Sequence, residues 1–119
     1  MAVLTFELKD GLKIGESVYT EVGLRELDPE DVFEAQLAAE KIGMINNRPY
    51  AYTSDVVMGM ELLRRQVEFI GKIGGPVSIK ELFMLSQKDF ALVQQKASEL
   101  DQTLFADDTM EAVETRGRD

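Results

Sequence analysis

The residues able to do chemistry are few, and they fall where backbone geometry already favours them. Carboxylates adjoin at Glu30-Asp31 and Asp107-Asp108, a residue type and spacing that could hold a hard cation through oxygen ligands. The first pair follows Asp28-Pro29, where acids stabilise the positive end of a helix dipole with no metal at all, and no metal site is assigned. Gly71, Gly74 and Gly75, in IGKIGGP, have the look of a phosphate-cradling loop. They follow a helical pattern rather than a strand and lack the Gly-Lys-Ser/Thr ending, so they read as a helix stop. Glu61, Arg64, Arg65 and Glu68 recur at spacings of three and four, which suits solvated ion pairs on an exposed helix face; the competing reading gives Arg65 an interaction role. The chain has neither histidine nor cysteine. It therefore lacks the commonest general base, the thiolate nucleophile and most zinc ligands, and it reads as a non-enzyme with no catalytic, metal or cofactor-binding residue.

Composition narrows the partners. Among 119 residues, 22 acids against 13 bases give a formal charge of −9, and Arg64-Arg65 is the nearest approach to a basic cluster. Such a chain repels phosphate backbones and anionic membranes, so neither nucleic acid nor a membrane is expected as a partner. The N-terminus, MAVLTFELKD, lacks the basic start and apolar core of a signal peptide, and no apolar run approaches the roughly 20 residues that span a bilayer. A cytoplasmic protein is expected. With 45% hydrophobic residues the chain suits one domain that needs no disulfide.

The elements that must position these residues centre on Thr53 to Ser86. Val56, Met60, Leu63, Val67 and Ile70 repeat at four, three, four and three, which predicts a helix from Asp55 to Lys72, started by Thr53-Ser54-Asp55 and stopped by Gly74-Gly75-Pro76. Ser78 and Glu81 have capping-box spacing and predict a short helix over Ile79–Leu85. Upstream, the alternation of Leu4, Phe6 and Leu8 predicts a strand, with a turn at Lys9-Asp10-Gly11 and a short continuation at Leu12–Ile14. Ser17–Leu27 predicts a second strand, which completes an antiparallel hairpin. Asp28-Pro29 opens a helix whose buried stripe is Val32, Ala35, Ala39 and Ile42, with Phe33 and Leu37 beside it and Gly43 at its end. Met44–Tyr52 reads as a loop. Ser86 caps a last helix with Phe90, Val93, Ala97, Leu100 and Leu104 on one side.

The expected fold is α+β: an N-terminal antiparallel β-hairpin followed by about four helices, in a single domain over 1–106 with an acidic flexible tail over 107–119. Its core is expected from Phe6, Val22, Leu24, Val32, Ala39, Val56, Met60, Leu63, Val67, Ile70, Leu82, Phe90, Val93, Ala97 and Leu100. Leu62, Phe69 and Ile73 lie off the main stripe of the central helix. They read either as the second side of a core helix or as a partner-binding face flanked by Arg65. The alternation in Ser17–Leu24, free of proline, further predicts a homo-oligomer formed at an exposed edge of the N-terminal hairpin.

Taken in order, GLKIGESVYTEVGLRELDPEDV, an alanine-rich helix, a proline-containing loop and ELLRRQVEFIGKIGGPVSIKELFMLSQKDFALV resemble the tail assembly chaperones of Mu-like contractile-tailed phages and prophages. The most telling pieces are LREL leading into an acidic capped helix, LLRRQV followed by IG and GP, and the run from Glu81 to Phe90. The resemblance covers about residues 3–104. It implies a non-enzymatic role in virion assembly, in which the tape measure protein is kept soluble while tail tube subunits polymerise around it, in the host cytoplasm and outside the mature virion. Leu62, Arg65, Phe69 and Ile73 are the candidate contacts for that partner. The alternative is a generic acidic adaptor or regulatory domain, antitoxin- or inhibitor-like, that uses the same surface.

Overall fold

The computed structural model describes the backbone over residues 2–117 and side chains over residues 2–102. The chain is α+β and opens on the expected antiparallel hairpin, β1 (Leu4–Ile14) with β2 (Ser17–Leu24), turned at Gly15-Glu16. Lys9-Asp10-Gly11 does not end the first strand. It forms a bulge within it, because between the pairs Glu7↔Glu21 and Leu12↔Tyr19 the chain takes five steps on β1 against two on β2.

Asp28 caps α1 (Pro29–Ala39): its carboxylate accepts from the Asp31 amide while Asp31 accepts from the Asp28 amide, with Pro29 in the first turn. The helix stops at Ala39 and passes straight into β3 (Glu40–Ile45), which pairs with β4 (Arg48–Thr53). The expected loop at Met44–Tyr52 is thus mostly a second hairpin. Asn46 and Asn47 both take positive φ, 53° and 63°, the conformation of a two-residue turn whose twist matches its strands. Pro49 is tolerated because each strand of a two-stranded ribbon is an edge.

Ser54 caps α2 (Asp55–Gln66), which ends six residues before the expected Lys72. Val67–Ile70 becomes β5, paired to β2 through Leu24↔Val67, Gly23↔Phe69 and Val22↔Ile70, and turns through Gly71-Lys72 into β6 (Ile73–Gly74). The glycine-rich stretch is therefore a strand turn as well as a stop. Gly71 has φ 58°, and a Cβ there would fall 2.5 Å from that of Tyr19, so both backbone and space require glycine. The sheet order is β1-β2-β5-β6. β2 is consequently held between β1 and β5 over Val22–Leu24, while β1, the other strand of the hairpin, lies at an outer edge of the sheet.

Ser78 and Glu81 form the expected capping box at α3 (Ile79–Phe83), and Ser86 accepts from the Asp89 amide at the start of α4 (Gln87–Gly117). Leu104 and the proposed tail over 107–119 lie outside the residues whose side chains are described.

One core joins Leu8, Leu12, Val22 and Leu24 of the first hairpin to Leu63, Val67, Ile70, Val77, Leu82, Leu85, Val93 and Ala97, with Phe6, Met60, Phe90 and Leu100 packed on its margin. Ala35 and Ala39 are buried separately on α1. Three expectations fail. Val56, in the first turn of α2, is 79% exposed; Ile42, at 75%, and Val32 are exposed because α1 ends before Ile42 and only its alanine side approaches another helix. Leu63, by contrast, is buried as its position in the stripe predicts. Leu63→Ala is expected to cost about 2 to 5 kcal/mol in urea unfolding, whereas Val56→Ala should stay within about 0.5 kcal/mol.

Candidate functional site

The four candidate contacts do not share a helix face, because α2 stops between the second and third of them. Leu62 is half-buried on α2. Arg65 is buried, and its guanidinium is bound to the Glu61 carboxylate and, at 3.0 Å, to the Glu61 carbonyl, with Glu34 at 3.8 Å. Phe69, on β5, is half-buried with its ring laid on Gly23, where any Cβ would stand 2.3 Å from the ring edge. Ile73, on β6, packs against the core. The sequence places Arg65 and Glu61 on a solvated face; the structure buries both. Arg64 completes the cluster, with Nε donating to Glu61 at 2.9 Å and Nη1 to the Val77 carbonyl at 3.2 Å. Desolvation works against ionisation of Glu61, but hydrogen bonds from Arg65 and Arg64 outweigh it and hold the carboxyl below its ordinary range.

Of the four, Leu62 opens onto an accessible site. It lines a groove of about 500 Å³ between α2 and α4 together with Val56, Met60 and Ala97, while Asp55 and Asp101 contribute carboxylates. The Gln66 amide ties the two walls by donating to Asp101 at 3.1 Å. The groove exists because α2 is amphipathic over a wide arc: Leu63 turns inward, while Val56 and Met60 remain at its edge. The groove thus joins apolar side chains to acidic ones. They suit an amphipathic segment carrying basic residues.

A second accessible apolar region lies on α1 and the β3–β4 hairpin, where Phe33 is 61% exposed and Leu37, Met44, Ile45, Tyr50 and Tyr52 are exposed as well. Sequence reading missed it by taking Met44–Tyr52 for a loop. The signal available was the alternation Ile42-x-Met44 and Tyr50-x-Tyr52 on either side of Asn46-Asn47. The orientation of α1 is fixed by Arg25, which leaves β2 and grips Asp31 with both terminal nitrogens at 2.8 and 2.9 Å; Glu68 stands 3.7 Å from its Nε. That fork, aided by the Asp28 amide, holds the Asp31 carboxyl at a pKa of about 2.

Among the described residues no group of three acids, histidines or cysteines is placed to hold a metal, and no helix is long and apolar enough to cross a membrane.

Comparison with known proteins adds the family. Residues 8–118 match the model of the tail assembly protein gp41 family. The chain is 40% identical over 116 residues to the probable tail assembly protein gp41 of Escherichia phage Mu, covering 94% of this chain and 78% of that one. It is 39% identical over 109 residues to the probable tail assembly protein FS-gp41 of the same phage, covering 88% of this chain and 58% of the relative. To the Mu-like prophage FluMu protein gp41 of Haemophilus influenzae it is 40% identical over 83 residues, which is 69% of this chain and 65% of the other. No solved structure matches. With nearly the whole chain matched, the protein belongs to the gp41 tail assembly family of Mu-like phages and prophages.

Proposed function

We propose that the chain is a non-enzymatic assembly chaperone for a contractile phage tail, which binds the tape measure protein in the host cytoplasm and keeps it soluble while tail tube subunits polymerise. The observation that carries this reading is the open groove between α2 and α4, an apolar site with acidic residues on a protein of net charge −9. A long helical partner with apolar stripes aggregates unless those stripes are covered, and a cover must itself stay soluble. A strongly charged chain with an accessible helix-binding groove meets both demands. Of the candidate contacts, Leu62 lies in the groove and takes the anchoring role. Arg65 is held by Glu61 within α2, and Phe69 and Ile73 lie on β5 and β6.

Co-expression with the tape measure protein tests this. The partner is expected in the soluble fraction with the wild-type chain, and in the pellet both without it and with the Val56→Glu, Leu62→Ala variant. A partner equally soluble in all three cases would sink the chaperone reading. Rescue by the double variant as well as by wild type would refute only the groove. Val56 is exposed, and Leu62→Ala removes a half-buried side chain, so an unchanged melting temperature shows that the variant is folded.

A further inference from the structure

Two faces adjacent in the chain carry opposite charge, and neither meets the other. On α1, Glu30, Phe33, Glu34 and Leu37 recur at spacings of three, four and seven, on the side opposite the buried Ala35 and Ala39. All four are exposed, Glu34 while standing 3.8 Å from the Arg65 guanidinium of α2, and α1 contains no basic residue. On the β3–β4 ribbon, the pairs Lys41↔Tyr52, Gly43↔Tyr50 and Ile45↔Arg48 put six residues on one face. There the two tyrosine rings stand 5.6 Å apart, and Tyr50 lies over Gly43, where a Cβ would come within 2.6 Å of the ring. Lys41 and Arg48 form no ion pair among the described residues, while Glu40 is the ribbon's one acid, on its other face. In a chain of charge −9, this is a basic, aromatic surface directly joined to an acidic, apolar one.

A two-stranded ribbon exposed on both faces is marginal in water, so this arm calls for a cover. Its own α1 does not supply one: Ala39 is followed at once by Glu40, the Ser54 amide closes the ribbon's base on the Ala39 carbonyl at 2.9 Å, and the strands remain exposed. We infer that the cover is α1 of a second copy, in a two-fold pair in which each ribbon lies across the other's Glu30-Phe33-Glu34-Leu37 stripe. Lys41 and Arg48 then face Glu30 and Glu34, and the tyrosines and Ile45 cover Phe33 and Leu37. The lengths agree: six strand residues span about 20 Å and eleven helical residues about 16 Å. A footprint about 10 Å wide, used twice and counted on both partners, buries roughly 650 to 800 Å², the size of a weak, transient contact. The association is accordingly weak, in the micromolar range. It is independent of the tape measure reading and uses a different surface from the groove.

Charge exchange tests the pairing, with sedimentation velocity from low to several hundred micromolar protein as the readout. Wild type is expected to move from monomer to dimer across that range. Lys41→Glu with Arg48→Glu should weaken dimerisation by about tenfold or more, as should Glu30→Lys with Glu34→Lys, because each places like charges opposite one another. An equimolar mixture of the two variants restores opposite charges at both contacts, and it should dimerise about as tightly as wild type. All four positions are exposed, and matching melting temperatures at low concentration show that the monomers are intact. A wild-type chain that stays monomeric throughout, variants that dimerise as wild type does, or a mixture no tighter than its components would each overturn the proposal.

Discussion

Glu61→Ala is expected to destabilise the protein by about 3 to 5 kcal/mol, far beyond the few tenths of a kcal/mol that its helical spacing from Arg64 and Arg65 suggests. The difference is burial. Glu61 and Arg65 are each only 8% exposed, so removal of the carboxylate leaves a guanidinium inside the protein with only the exposed Glu34, at 3.8 Å, as counter-charge, and deprives the Arg64 Nε of its acceptor. The cost comes from the stranded charge rather than from the attraction lost, and a second variant separates the two. Replacing Glu61 and Arg65 together by Leu and Met should recover most of the loss, to within about 1 kcal/mol of wild type, because a buried ion pair contributes little over apolar groups of similar volume. Urea unfolding midpoints measure both. A loss below about 0.5 kcal/mol for Glu61→Ala would show that Arg65 reaches water, and the account of the cluster would fall.

What was legible in the sequence is what local chemistry decides. Asp28, Ser54 and Ser78 act as caps where their positions before apolar periodic segments predict, since a cap satisfies amide donors three residues away and needs nothing from the rest of the fold. The first hairpin was legible for a similar reason: Leu4, Phe6 and Leu8 alternate, and Gly15-Glu16 supplies the turn. Val67–Ile70 was not. Its apolar residues continue the spacing of α2, and only pairing with Val22–Leu24, more than forty residues earlier, turns the segment into a strand. Once that happens, Phe69 and Ile73 leave the helix on which the candidate binding face was built, while Leu62 stays on α2 beside the groove.

The second hairpin was hidden by one residue type. Pro49 in MINNRPYAY reads as a breaker, yet it faces Met44 in a ribbon with no third strand, so its missing amide proton deprives the sheet of nothing essential. With Asn46 and Asn47 both able to adopt positive φ, the alternating residues on either side close into strands, and their side chains stay in solvent. The family match does not itself place a binding surface. It is the exposure of α1 and the ribbon, in a chain whose other apolar residues largely pack into one core, that points to contacts with other molecules.

Asp89→Ala should be the other severe substitution, at about 3 to 5 kcal/mol, and it joins the two ends of the fold. Its fully buried carboxylate accepts from the amides of Lys9 at 2.7 Å, Asp10 at 2.9 Å and Gly11 at 2.9 Å, the three residues of the β1 bulge. Those donors have left the strand ladder; without the carboxylate the buried Gly11 amide is left with no acceptor, at about 1 to 3 kcal/mol, and the part-buried Lys9 and Asp10 amides lose theirs at a smaller cost. Asp89→Asn keeps the shape but offers one acceptor oxygen and no charge, so it should lose about half as much. Burial pushes the Asp89 carboxyl up, but the hydrogen bonds from Lys9, Gly11, Asp10 and Ser86 together push it further down, and its pKa lies below the ordinary 3.8. The unfolded chain therefore takes up the proton first as pH falls. Asp89's contribution is complete above about pH 5 and is lost as pH drops through the folded-state pKa, so wild type should lose stability on acidification more steeply than Asp89→Asn does. Parallel stability curves for the two proteins between about pH 5 and pH 2.5 would show that the carboxylate does not hold the bulge in place.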